Sequence, residues 1–227
     1  MKNETIIISV GGSLICPDGV NITFLKKFKE TIMHHVEKGV RFVLITGGGK
    51  ICRDYQTAAK HLGKLSDEDL DWLGIDATRL NAHLFKAIFK EQVYPKVITD
   101  PTVKIRFTQK ILIAAGWKPG CSTDYDAVLL AKQFKVKKII NLTNIHFVYD
   151  KDPHRFGDAQ PFRNLKWKEY RKLVGEKWNP GLNAPFDPVA SKEAEKQKMK
   201  VYIVNGLALE NLSHIIEGRD FVGTTIS

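Results

Sequence analysis

The strongest constraint in this chain is a recurring pattern: a short β-branched run that ends in glycine. Thr5-Ile6-Ile7-Ile8-Ser9-Val10 leads into Gly11-Gly12-Ser13, and Val40-Arg41-Phe42-Val43-Leu44-Ile45-Thr46 leads into Gly47-Gly48-Gly49-Lys50. Apolar runs of this length suit strands buried on both faces, and glycine directly after one lets the backbone turn tightly. Between the two, Phe24, Leu25, Phe28, Ile32 and Val36 recur at helical spacing, which predicts a helix capped by Thr23 and stopped near Gly39. Together these pieces make one β-α-β unit.

The alternation continues downstream. A helix is expected over 51–62, and Ser66, followed by Glu68 and Asp69, opens a longer one through Leu70, Leu73, Ala77, Leu80, Leu84 and Ile88. Strands are expected at 95–99, 111–115, 138–142 and 200–204, with helices over 124–134, capped by Ser122 or Thr123, and over 188–197. Strands alternating with helices at this spacing predict an α/β protein, a three-layer α/β/α sandwich around a largely parallel sheet. No linker or repeat interrupts the chain, so one domain over 1–227 is expected, with two lobes, roughly 1–135 and 136–227, flanking a cleft. Ligands in such sheets bind beyond the carboxyl ends of the strands, where the glycine loops fall.

Composition narrows the function classes. The 227 residues are 43% apolar and 26% charged, enough for a real core. No stretch approaches the roughly 18 apolar residues of a membrane span, and Met1-Lys2-Asn3-Glu4 lacks a signal-peptide pattern, so a cytoplasmic location is expected. Cys16, Cys52 and Cys121 form no CxxC pair, and His34, His35, His61, His83, His154 and His214 show no metal spacing. No dedicated metal site is therefore expected. The formal charge of +10 favours anionic partners, but no basic strand with interleaved aromatics marks a nucleic-acid site. The lysines of 132–138 and 166–172 suit solvated faces of regular elements.

Glycine after a strand brings backbone N–H groups close to a phosphate, and a helix that opens there adds the positive end of its dipole. Three such loops, 11–13, 47–50 and 116–120, with Lys50, Arg53, Lys118 and Asp124 beside them, predict two phosphorylated ligands. The pattern is neither a Walker A loop nor a dinucleotide GxGxxG.

Taken in order, the motifs resemble the amino-acid kinase superfamily, with its carbamate-kinase-like fold, and within it the archaeal-type uridylate kinases. The likeness is carried by Val10-Gly11-Gly12-Ser13-Leu14, Thr46-Gly47-Gly48-Gly49-Lys50 with Arg53-Asp54-Tyr55, and Asp71-Trp72-Leu73-Gly74-Ile75 with Thr78-Arg79 and Asn81-Ala82. It continues through Lys118-Pro119-Gly120-Cys121-Ser122-Thr123-Asp124, Thr143-Asn144-Ile145, Val148-Tyr149-Asp150-Lys151-Asp152-Pro153, Phe186-Asp187-Pro188 and Gly223-Thr224-Thr225-Ile226.

The resemblance implies transfer of the γ-phosphoryl of ATP to UMP in a cytoplasmic homohexamer, with Mg²⁺ bound mainly through the ATP phosphates. It places Gly11, Gly12, Ser13, Gly49 and Arg53 on the ATP phosphates, and Thr143, Asn144, Tyr149 and Asp152 around the adenosine. Gly48 and Asp71, with Trp117, Lys118, Pro119, Gly120, Cys121, Ser122 and Thr123, would hold UMP. Asp124 matches the family's organising aspartate. Lobe 1–135 becomes the acceptor lobe and 136–227 the ATP lobe. Asp71 suits ribose hydroxyls, or alternatively is a helix-start carboxylate favoured by the dipole.

Three departures bear on the chemistry. Ser9 stands where many members carry a lysine, so Lys50 is the replacement candidate for a catalytic cation, with Arg53, Lys118 and Lys192 behind it. Trp117 replaces a small or polar residue and either stacks a pyrimidine or packs under the loop. His146-Phe147 replaces Asp-Gly and leaves the choice of ATP over GTP open. Helix-start amides beside Cys121 could lower its pKa. Asp126 is expected to be structural. The competing readings are a kinase for another acceptor of the same family and a non-catalytic nucleotide-binding or storage homologue.

Overall fold

A computed structural model describes residues 4–153, 155–179 and 184–227; His154 and the first three residues, on which two expectations rested, lie outside this range. The elements run β1 (Thr5–Val10), α1 (Gly12–Ile15), α2 (Ile22–Glu37), β2 (Arg41–Thr46), α3 (Gly49–Leu62), α4 (Asp67–Ile88), β3 (Ile111–Ala114), α5 (Thr123–Gln133) and β4 (Lys138–Thr143). They continue as β5 (Val148–Tyr149), β6 (Pro161–Phe162), β7 (Asn164–Leu165), α6 (Trp167–Val174), α7 (Pro188–Lys196), β8 (Lys200–Asn205), α8 (Leu209–Ile216) and β9 (Thr224–Ile226).

Among the described residues, seven strands form one sheet in the order β3-β2-β1-β4-β8-β9-β7, and β5 pairs with β6 in a separate hairpin. The five strands from β3 to β8 are parallel, β9 is antiparallel to β8, and β7 runs parallel to β9. The largely parallel sheet is as expected; the antiparallel β9 adds an edge that the sequence reading lacked.

Alternation along the strands splits the core into two layers. Ile6, Ile8, Val10, Phe42 and Leu44 pack with Phe24, Phe28 and Ile32 of α2, Phe85 of α4 and Leu212 of α8. Ile7, Val43 and Ile45 point the other way, against Ala127, Val128 and Ala131 of α5, Trp167 and Tyr170 of α6 and Ala190 of α7. A sheet covered on both faces is the predicted three-layer sandwich. It also puts Ser9, two residues after Ile7, on the α5 side of the sheet, and this decides the geometry of the site.

Some boundaries differ from expectation. Asn21, not Thr23, caps α2, its side chain accepting from Phe24 N at 3.0 Å. Asn is as good a cap as Thr, and helix start signals cannot separate two candidates this close. Residues 95–99 form no strand: this segment touches β3 only through the bridge Ile98↔Ala114, and Pro95 has no N–H to give a ladder. Thr143 is the last residue of β4 rather than the start of a loop. Ser66 caps α4 as expected, in a capping box with Asp69.

Candidate active site

The parallel strands deliver their carboxyl ends to one rim. Gly11 follows β1, Gly47 follows β2, Ala115-Gly116 follows β3, and Thr143 ends β4. The first two loops touch. A Cβ on Gly12 would lie 1.9 Å from Gly49 N, and one on Gly47 would lie 2.5 Å from Gly12 N. Backbone therefore meets backbone with no space for a side chain, which is what glycine alone permits. Gly49 also adopts φ +70°. From α4, Asn81 Nδ2 donates to Gly47 O (2.8 Å) and Gly48 O (3.2 Å), and Thr78 Oγ1 accepts from Gly116 N (2.8 Å). One helix thus holds two of the three glycine loops.

The 116–123 loop, expected to hold the acceptor, is tied at four further points. Trp117 N donates to Asp126 Oδ2 (3.2 Å), and Arg79 Nη2 donates to Trp117 O (3.3 Å). Gly120 N donates to Asp71 Oδ2 (2.7 Å), and Ser122 donates to Asp187 Oδ2 through both its amide (3.2 Å) and its hydroxyl. Ser122 is also the cap of α5, accepting from Asp124 N. Lys118 lays its ammonium 4.0 Å from the centre of the Trp117 ring, a cation–π contact. Asp71 sits one turn inside α4, whose first turn is served by Asp67, Glu68 and Asp69. It is 8% exposed and turned onto the loop. Its carboxylate therefore bonds the loop rather than the amides of its own helix start.

Asp124, Asp187 and Asp126 concentrate carboxyl groups behind this loop. Ser9 Oγ donates to Asp124 Oδ1 at 3.0 Å, and Asn141, the β4 neighbour of Ser9, approaches the same oxygen at 3.4 Å. Asp187 N donates to Asp124 Oδ2 (3.3 Å). Burial, and next the Asp187 carboxylate, push Asp124 up to about 7, against the Ser9, Asp187-amide and Ser122 hydrogen bonds that pull it down. Asp187 is itself raised by burial while its Oδ1 caps α7 through Ala190 N (2.7 Å). Asp126 is buried at 1% exposure and raised well above its ordinary value by desolvation, and its Oδ1 has no partner among the described residues. The cysteine expectation is overturned: burial pushes the Cys121 thiol up to about 12, so the loop holds it as an inert thiol.

The cations stand at the margins. Lys50 Nζ pairs with Asp54 at 2.7 Å and reaches Asp18 at 3.7 Å, with 39% of its side chain exposed. Arg53, on the next turn of α3, is exposed, as are Lys118 and Lys192. Ser13 lies in α1, directly after Gly12.

Beyond β4, a cavity of about 460 Å³ is lined by Thr143, Asn144, Tyr149 and Asp152 together with Val148 and Pro185. The four residues expected around one nucleoside thus share one concavity. Its hairpin is held from the C-terminal strand, where Thr224 Oγ1 accepts from Val148 N (2.8 Å). His146 lies 3.1 Å from Asn205 Nδ2, and Phe147 meets the Tyr149 ring edge-on. The remaining expected residue, Pro119, lies in the 116–123 loop between Lys118 and Gly120.

Sequence reasoning missed two participants. Asp187 was visible only as part of a motif, without a role. Trp178, whose indole N–H donates to Asp71 from 107 residues away, had no local signal at all.

Known proteins share this architecture. The model of the amino acid kinase family matches residues 4–205. A uridylate kinase of Thermoplasma volcanium is 34% identical over 227 residues, covering 99% of this chain and 98% of that protein. One from Hyperthermus butylicus is 30% identical over 222 residues, 97% of each chain. The crystal structure of uridylate kinase from Archaeoglobus fulgidus matches with a TM-score of 0.80 at 30% identity, covering 100% of both chains. The likeness runs through the sheet that carries the glycine loops and on to the C-terminal strand that holds the hairpin of the cavity beyond β4, and the chain belongs to the amino acid kinase family.

Proposed function

We propose that this chain transfers the γ-phosphoryl of ATP to UMP, giving UDP. The observation that favours a nucleotide acceptor is Asp71: a buried carboxylate turned onto Gly120 of the 116–123 loop, of the kind that bonds ribose hydroxyls. The full-length likeness to uridylate kinases supports the same reading.

Phosphoryl transfer asks the protein for alignment and for positive potential around a spreading charge. In this reading the Gly12–Ser13 and Gly48–Gly49 backbones supply amides to the phosphates, and the cavity at Thr143, Asn144, Tyr149 and Asp152 takes the adenosine. The 116–123 loop takes the acceptor phosphate and base. Asp124 orients donors rather than removing a proton, because Ser9, Asn141 and the Asp187 amide already hold its carboxylate. Lys50 is the cation that replaces the lysine missing at Ser9. Its exposed pair with Asp54 is worth little, so a phosphate can take Asp54's place.

Among the described residues no group of three or more His, Cys, Asp or Glu could hold a metal. Mg²⁺ takes only one or two protein carboxylates and completes its shell with water and substrate phosphates, so here it would be held mainly through the ATP phosphates. Bound with ATP, the ion would neutralise charge on the β- and γ-phosphates.

The reading also takes the chain as one domain, its acceptor lobe over 1–135 and its ATP lobe over 136–227, working as a cytoplasmic homohexamer. No helix among the described residues is long and apolar enough to cross a membrane. Exposed Trp72 and Leu80, two turns apart on α4, with Tyr55 and Leu62 on α3, offer apolar surface for self-association. Light scattering tests this: a monomer over the working concentration range contradicts the hexamer. The activity is tested by ADP release from Mg·ATP with UMP, CMP, AMP, acetylglutamate or isopentenyl phosphate as acceptor. UMP well above the rest supports the proposal. Nucleotide binding with no turnover favours the non-catalytic reading, for which the uncharged Ser9 argues.

A further inference from the structure

Trp178 reaches Asp71 from 107 residues away in sequence. The chain leaves α6 through Gly175, and beyond Trp178 it returns to the site where Asn141 Nδ2 donates to Pro185 O (2.7 Å) and where Asp187 accepts from Ser122. At Trp178 the indole Nε1 lies 3.3 Å from Asp71 Oδ1 and 3.2 Å from Oδ2. Asp71 Oδ2 also accepts from Gly120 N at 2.7 Å. The carboxylate of Asp71 is thus engaged on both oxygens while it is only 8% exposed.

Chemically, the indole N–H offers Asp71 what a sugar hydroxyl offers: one donor aimed at a carboxylate. It does so poorly. A single N–H shared between two oxygens at 3.2–3.3 Å is longer than a normal charge-assisted bond, whereas a hydroxyl donates to a carboxylate at roughly 2.5–2.7 Å. The Gly120 contact is short and holds the loop, so the indole is the replaceable partner.

We propose that Trp178 is an internal competitor for the acceptor: its N–H occupies the atoms of Asp71 that ribose hydroxyls bind, and the nucleotide enters by displacing it. The inference rests on the reading of Asp71 as the ribose ligand. The contact keeps a buried carboxylate partnered when no nucleotide is bound, which avoids the cost of an unsatisfied buried charge. In exchange, apparent acceptor affinity is reduced by the fraction of molecules in which Asp71 is available. Because this competition precedes any contact with the ligand, it weakens ribose and deoxyribose acceptors by one common factor.

Trp178→Phe keeps the ring and removes the donor. If the indole holds Asp71 in about nine molecules of ten, this substitution lowers the KM for UMP about tenfold. The KM for dUMP falls by the same factor, while kcat and the KM for ATP stay unchanged. A KM for UMP that is unchanged or raised overturns the inference and leaves Trp178 as a wall of the pocket. A second measurement reads wild-type protein and uses a variant only to assign the signal. In protein labelled with ¹⁵N-tryptophan, the four indole signals are followed during UMP titration, with Trp178 assigned from its Phe or Tyr variant. Movement of the Trp178 signal from a hydrogen-bonded to a free position supports displacement; a signal that stays in place while UMP binds overturns it. Wild-type protein that binds ATP but no UMP fails differently, because it removes the acceptor reading of Asp71 itself.

Discussion

Ser9 Oγ donates to Asp124 Oδ1 at 3.0 Å, joining the end of β1 to the first turn of α5 across 115 residues of sequence. The contact follows from strand alternation: Ile7 and Ser9 face the α5 layer, and Asn141 lies beside Ser9 on β4. A hydroxyl at this position orients the carboxylate but brings no charge. Burial, and next the neighbouring Asp187 carboxylate, therefore raise Asp124 to about 7.

Asp124 carries a stability cost with a definite sign. Its folded value of about 7 lies above the ordinary 3.8, so the unfolded chain releases this proton first and stability falls as pH rises from about 4 to about 7. Asp124→Asn keeps a hydrogen-bonding side chain and removes the charge. The variant melts higher than wild type at pH 8, by roughly 2–4 °C for each 1 kcal/mol relieved, and the gap narrows at pH 5. Its kcat falls at least about 10²-fold, as expected when a group that organises the transition state is lost. Calorimetry at both pH values checks the first statement; a gap that does not change with pH contradicts it.

Lys50 is expected to act in the transition state. Lys50→Ala lowers kcat roughly 10²- to 10³-fold with little change in the KM for ATP. The Asp54 pair lost with it is exposed, so melting shifts little. Steady-state kinetics decide: an unchanged kcat moves the cationic role to Arg53, Lys118 or Lys192.

His35 makes α2 sensitive to acid. It is fully buried, its Nε2 lies 3.1 Å from Ser213 Oγ, and its Nδ1 has no partner among the described residues. Burial, then Lys38 and His34, hold its pKa below 6.5, and Glu217 opposes them. The unfolded chain therefore takes up the proton first, and stability is lost as pH falls below about 6.5. Asp124 acts in the opposite direction over part of this range, so the test is a difference. Between pH 7.5 and 5.5, wild type loses more melting temperature than His35→Gln. Parallel melting curves for the two proteins contradict the assignment.

Gly12 has no tolerance for a side chain. Its Cβ would sit 1.9 Å from Gly49 N, a backbone atom that cannot swing away. Gly12→Ala is expected to push the two phosphate loops apart, lower the melting temperature and abolish ATP binding by titration calorimetry. Gly120→Ala is the control. At φ +91° with open space around it, its strain is local, so ATP binding survives.

What the sequence made legible was whatever repeats locally. The buried strands, the loops after Val10 and Thr46, and the Ser66 cap each announce themselves within a few residues. What it hid depends on partners far away. Residues 95–99 have strand composition but only bridge-like contact with β3, and β9 is three residues of ordinary composition recruited by β8. Helix-start amides beside Cys121 suggest a lowered pKa, whereas desolvation, set by packing the sequence does not show, decides the direction upward. Trp178 could not be connected to Asp71, because nothing within either segment encodes the approach.

The central claim is tested most directly by ADP release from Mg·ATP across the five acceptors. The account predicts turnover with UMP far above CMP, AMP, acetylglutamate and isopentenyl phosphate. Preferred turnover of a non-nucleotide acceptor, or none with UMP under conditions where ATP binds, contradicts it.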